Sequence, residues 1–371
     1  MNIQELHIKA IELADIAFIK KFGGEVDEAI SLFRQAFEFE KQAAYAAKED
    51  EIGEPTVSVL FKSAASLALN FEEHLEAEKL ICTALIGEPP FEIAEELRNL
   101  LEDVHFQRHL QLQGISINST ELQLVIAGHG VGYGMAKSEI IFDRINTFEK
   151  LTYRTVERKS GKDFRSSGDV SKVIKMKFQP YLSVPRAASF AFTIRLGGLT
   201  KQMKLEGFDN TVEIIEDIVD NIALVNSGDF ESLRKNIPNE TYFKNFVGLS
   251  KELAPDGEEV NLVGLTIVRD GNQREVQFTR MRNEIISPFT VIEDQTGNLK
   301  DNKIELTGRL FAANEETNNI RLKLENGIHY SVTVPEGLGD IVKKYWGEQV
   351  KIKGTEIRPK VINLTDIDPA Y

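Results

Sequence analysis

The 371-residue chain has one cysteine, one tryptophan and no run of about 18 apolar residues. A lone cysteine, Cys82, excludes an internal disulfide. It falls within an apolar helical pattern, where a small buried thiol is expected. Without a long apolar run, no membrane-spanning helix is expected. The opening stretch MNIQELHIKAIELADIAFIKK mixes acids with apolar residues, so it reads as an amphipathic helix rather than a secretory signal. The expected compartment is therefore the cytoplasm. Asn118-Ser-Thr and Asn239-Glu-Thr match the glycosylation pattern but carry no meaning without secretion.

Catalytic motifs are also missing. There is no Gly-Lys-Ser/Thr phosphate loop, no Gly-x-Ser-x-Gly and no His-Glu-x-x-His. His105 and His109 share a helix face, but zinc needs further ligands and the other histidines are scattered. Gly128-His-Gly-Val-Gly-Tyr-Gly134 sits between an apolar strand pattern and a helix. Glycine at every second position fits a tight hairpin with another backbone close by. The alternative is an anion-binding loop at a helix N-terminus, which would make the protein an enzyme with a phosphate ligand. No catalytic, cofactor-binding or metal-binding residue is assigned.

What is present is charge, unevenly spread. The net charge is −14. Residues 1–112 hold 22 acids against 10 bases, whereas residues 150–204 hold 13 bases against three acids. That basic segment includes Lys150, Arg154, Arg158, Lys159, Lys162, Arg165, Lys172, Lys175 and Lys177. Its charges can complement acids within the fold, bind an anionic partner such as nucleic acid, or lie on a solvated loop. Tyr153, Phe164, Phe178 and Tyr181 are its candidate stacking platforms.

The N-terminal third shows two helical hairpins. Leu13, Ile16, Ala17, Ala29, Phe33 and Ala36 mark the first. Phe61, Ala65, Ala77, Ile81, Ala84 and Pro89 mark the second. Small residues let two helix axes cross closely, and larger apolar residues fill the flanks. Over roughly residues 10–90 this spacing resembles the tetratricopeptide family. The large aromatic usual late in the first helix is Lys20 in one hairpin and Ala68 in the other. The repeat, Ala29 to Ala77, is 48 residues rather than about 34. The excess implies an over-long helix over Asp27–Lys48 or an inserted loop over Glu49–Glu54. The resemblance implies a groove that binds protein partners. Pro89-Pro90 then opens a helix over Phe91–Leu112 that would cap the stack.

The texture changes at Ile115. Glu121–Ala127 reads as a strand, Lys137–Lys159 as a helix, Ser189–Leu196 as a half-buried strand, and Thr211–Asn226, Asp229–Asn236 and Glu240–Leu253 as helices. Pro255-Asp-Gly257 marks a further boundary. Beyond it, strands are expected at Val260–Val268, Ile304–Phe311, Ile320–Leu324, Ile328–Val334, Val350–Ile357 and Val361–Leu364, with a helix at Gly337–Tyr345. Asn326-Gly327 is a hairpin signal in which both central positions would take positive φ. The five short strands from Ile304 onward, with one helix, resemble a small barrel of the oligonucleotide-binding or SH3-like kind.

The reading is a multidomain α+β protein: a helical domain over 1–113, an α+β domain over 114–254 and a β-rich small barrel over 255–371. The expected function is that of a non-enzymatic adaptor or regulatory subunit that holds a protein partner on its hairpins. The alternative is a nucleic-acid-linked component of a multicomponent bacterial defence or stress system, using the basic segment and the barrel. Candidate partner-binding residues are Lys20 and Lys62 in the hairpins, and Arg154, Arg158, Lys159, Lys172, Lys175 and Lys177 in the basic segment.

Overall fold

The computed structural model describes residues 1–112, 116–132, 135–166, 168–183, 190–197, 211–285, 303–314 and 319–370. The chain is a mixed α+β protein that divides into two compact units, Met1–Gly114 and Ile115–Tyr371.

The first unit is helical: α1 (Ile3–Phe22), α2 (Val26–Glu49), α3 (Thr56–Leu69), α4 (His74–Ile86) and α5 (Phe91–Leu110). Asn2 caps α1. Its Oδ1 accepts from the Glu5 N–H at 2.8 Å, and Glu5 Oε2 accepts from the Asn2 N–H at 3.0 Å. Each helix packs on its neighbour in sequence, and α3 also meets α5. The alanines read as crossing points, Ala17, Ala29, Ala65 and Ala77, are all buried. Phe33, Phe61, Leu80, Ile81 and Leu97 fill the space between the axes. The over-long repeat lies mostly in α2, which has 24 residues against 13 in α4. Cys82 departs from expectation, because it is exposed. The buried face of α4 is His74, Ala77, Leu80, Ile81 and Ala84, and Cys82 lies a further helical step round from Ile81.

In the second unit, β1 (Glu121–Ala127) is the middle strand of an antiparallel five-stranded sheet. Its order is β4 (Pro180–Leu182), β5 (Phe190–Leu196), β1, β6 (Leu262–Arg269) and β7 (Asn272–Gln277). The boundary expected at 254 therefore runs through this unit, since β6 pairs with β1 from Leu122–Ile267 to Ala127–Leu262. The glycine-rich stretch forms a short hairpin, β2 (Val131–Gly132) with β3 (Met135–Ala136). Gly128, at φ 148°, passes so close to the backbone of Glu259–Asn261 that a Cβ there would lie 2.6 Å from the Glu259 carbonyl oxygen. The helices of this part are α6 (Ser138–Lys159), α7 (Lys172–Phe178), α8 (Thr211–Ser227), α9 (Phe230–Asn236) and α10 (Glu240–Leu253); α8 packs on β1, β6 and β7, and α6 packs on α7, α8 and α10.

The second sheet comprises β8 (Lys303–Asn314), β9 (Asn319–Lys323), β10 (His329–Thr333), β11 (Gln349–Arg358) and β12 (Val361–Pro369), with helix α11 (Gly339–Lys344) between β10 and β11. Its order is β10-β12-β11-β8-β9, and β9 pairs back onto β10, so the sheet closes. β10 and β12 run parallel, whereas the other pairs are antiparallel. One hydrophobic core runs from Leu122 and Phe243 to Leu322 and Ile362. Polar groups of α10 reinforce it. Asn245 donates to the Gly337 carbonyl at 2.8 Å, and the Lys251 ammonium lies 2.8 Å from Asp366 and 3.0 Å from Asp368.

Candidate functional site

On strands β8 and β9, alternation sends Leu310, Ile320 and Leu322 into the barrel and Arg309, Phe311, Arg321 and Lys323 outward. Register then places Gln349, Arg309, Lys323 and His329 side by side across four strands. The turn before β10 is built differently from expectation. Only Gly327 takes positive φ (79°), and the Asn326 side chain instead accepts from the Ile328 N–H at 3.0 Å.

These side chains border a pocket of about 570 Å³ lined by Arg309, Phe311, Lys323, Glu325, His329 and Trp346, among others. The Phe311 and His329 rings lie 4.8 Å apart. Trp346, the only tryptophan of the chain, is 51% exposed on the turn after α11. Arg309 Nε donates to the Gly347 carbonyl at 2.7 Å, which holds its guanidinium over the pocket wall. Arg309 and Lys323 are directly opposed across the β8–β9 ladder, an unfavourable pairing of like charges. Neither has a carboxylate ion-pair partner among the described residues. Glu325 is the one acid among the described residues of the lining.

The cations singled out in the sequence stand differently. In the first unit, Lys20 pairs with Glu25 at 2.8 Å and Glu28 at 3.0 Å, and Lys62 pairs with Glu96. Arg154 is buried between Asp340 at 2.8 Å and Glu157 at 3.2 Å. Arg158 pairs with Asp217, and Lys159 lies 2.7 Å from Glu213 and 3.4 Å from Asp217. Burial would lower the Lys159 ammonium pKa, but those two carboxylates outweigh it and raise the value. α6 thus brings Arg158 and Lys159 together over one acid. Lys172, Lys175 and Lys177 lie on α7, a helix the sequence reading missed inside a polar segment; Ser171 caps it. Lys175 is 3.4 Å from Asp169, and the Lys177 ammonium lies 5.8 Å from the Phe178 ring centre.

A second cleft of about 390 Å³ is lined by Arg144, Asp256, Arg282, Lys344 and Tyr345, among others. Its charges are largely matched by neighbours. Lys344 lies 2.7 Å from Glu252 and 3.2 Å from Asp143, and Arg144 is 3.4 Å from Asp256. Among the described residues, no group of three His, Cys, Asp or Glu could hold a metal ion, and no helix is long and apolar enough to cross a membrane.

Sequence reasoning missed Arg309, Phe311, Lys323, His329 and Trp346. Over residues 299–371 acids and bases number 11 each, so a charge count hides the patch. The available signal was the alternation of Arg309 with Phe311 and of Arg321 with Lys323 on adjoining strands. Compared with protein-family models, curated proteins and solved structures, the chain matches none.

Proposed function

We propose that the chain is a non-enzymatic cytoplasmic binding protein whose barrel takes a single-stranded nucleic acid. The observation that carries this is the pocket in which exposed Trp346 and Phe311 stand beside the ion-pair-free cations Arg309 and Lys323. Bases offer faces for stacking on aromatic rings, worth about 1–3 kcal/mol each, and phosphates answer unpaired cations. The strand order, the parallel β10–β12 pair and the helix between β10 and β11 favour the oligonucleotide-binding kind of barrel over the SH3-like kind. In that architecture the second and third strands present the ligand face; here these are β9 and β10.

The test is anisotropy of a labelled 12-mer oligodeoxythymidylate with the full chain and the R309E/K323E variant. Loss of tenfold or more in affinity, with an unchanged melting profile, supports the reading. Equal binding by wild type and variant overturns it.

The helical unit's part in this reading is to hold a protein partner. The observation that favours it is the apolar outer face of α1, where Ile8, Ile16, Ile19 and Phe22 are exposed.

A further inference from the structure

The 48-residue offset that relates Ala17 to Ala65 and Ala29 to Ala77 lays α1 onto α3. On α3, Leu60, Ala64 and Leu67 are buried. Their counterparts on α1 are Glu12, Ile16 and Ile19. Glu12 is exposed, and the isoleucines are 46% and 70% exposed. The two helices differ chiefly in their neighbours: α3 lies against the preceding helix α2 as well as α4, whereas α1 packs mainly on α2, which follows it, and reaches the end of α3 through Lys21, which donates to Asn70 at 3.2 Å. The bare positions on α1 are those that a preceding helix would cover.

Ile8, Glu12, Asp15, Ile16, Ile19 and Phe22 fall on one side of α1 by their spacing. Phe22 is 90% exposed. A stack that ended here in water would carry a polar outer face, but this one is apolar with two acids at its centre. Glu12 and Asp15 have no ion-pair partner among the described residues. Glu12 also stands where the second hairpin has Leu60.

We infer that the outer face of α1 seats an amphipathic helix of a partner protein, with apolar residues on Ile8, Ile16, Ile19 and Phe22 and a lysine or arginine opposite Glu12 and Asp15. The inference rests on reading the helical unit as partner-binding. Charge decides the occupant. A second copy related by a two-fold axis would set Glu12 and Asp15 against themselves, in a unit that already holds 22 acids and 10 bases over residues 1–112.

The test uses the full chain and two labelled 18-residue peptides, one with leucine at helical spacing and lysine elsewhere, the other with glutamate in place of lysine. The leucine–lysine peptide binds the wild type and loses tenfold or more against I16D/I19D, whose changes lie on exposed positions. Against E12K/D15K the preference turns toward the leucine–glutamate peptide. If the first peptide binds but neither variant alters it, the helical unit remains a binder and the assignment to α1 is overturned. If neither peptide binds, the partner-binding reading falls with it. A dimer in sedimentation that I19D dissociates would give the face to a second copy and also overturn the proposal.

Discussion

The Tyr345 hydroxyl donates to Glu252, lying 2.6 Å from Oε1 and 2.7 Å from Oε2. Glu252 belongs to α10 and is buried, and Tyr345 follows the barrel helix α11. Lys344 adds a contact of 2.7 Å to the same carboxylate, and the Arg282 guanidinium lies 3.9 Å away. Burial alone would raise the Glu252 carboxyl pKa. Arg282, Lys344 and the Tyr345 hydroxyl outweigh that and hold it at about 2. The same burial, followed by the carboxylate, pushes the tyrosine hydroxyl upward.

Glu252→Gln is expected to destabilise the second unit by about 3–5 kcal/mol, because buried cations lose their partner. Urea denaturation followed by circular dichroism measures it. The folded carboxyl sits below the ordinary glutamate value of 4.5, so its contribution is complete above about pH 4.5. It is lost as pH falls toward 2, because the unfolded chain then binds the proton first. The variant's loss of stability should shrink across that window.

Charge reversal at Arg158 should act on stability and leave oligonucleotide affinity unchanged. Its guanidinium is largely buried against Asp217, and R158E would set a carboxylate against that acid. A lowered melting temperature with an unaltered dissociation constant is expected. Loss of binding at an unchanged melting temperature would return the ligand site to the basic segment.

Ala29→Leu and Ala77→Leu are each expected to cost about 1–3 kcal/mol by overpacking. Ala29 and Ala77 are fully enclosed, so added methyl groups must displace the neighbouring helix. Wild-type melting in both variants would show that the two alanines are not at helix crossings.

His74 is buried, and among the described residues neither ring nitrogen has a hydrogen-bond partner. Desolvation lowers its pKa below the ordinary histidine value of 6.5. As pH falls through about 6.5 the unfolded chain therefore binds more protons than the folded one, and stability decreases as pH decreases. His74→Leu should flatten the stability–pH curve of the chain between pH 5 and 7, roughly the range in which histidine titrates. An unaltered slope would contradict the assignment.

Much of the fold was legible because local periodicity decides it. β1 was placed at Glu121–Ala127 and α10 at Glu240–Leu253, each matching the structure. Apolar alternation also located the barrel strands to within a few residues. What escaped depends on partners far along the chain. Asp217 and Asp340 neutralise Arg158 and Arg154 across 59 and 186 residues, so the basic run could not be recognised as an internal ion-pair zone. β6 also pairs with β1 from far along the chain, Leu122 with Ile267 and Ala127 with Leu262, which hid the continuity past Pro255. The candidate site was hardest to see. It is assembled from Arg309 and Phe311 of β8, Lys323 of β9, His329 of β10 and the turn at Trp346, in a stretch with no net charge.

Trp346 is the chain's only tryptophan, so fluorescence excited selectively at tryptophan reports on the barrel pocket alone. The most direct measurement is its emission during titration with oligodeoxythymidylate at several salt concentrations. Saturable quenching is expected, with an affinity that falls on a log–log slope of about −1 to −2 for two phosphate contacts. Emission that stays constant while the oligonucleotide binds, or no binding at low salt, would contradict nucleic-acid recognition by the barrel.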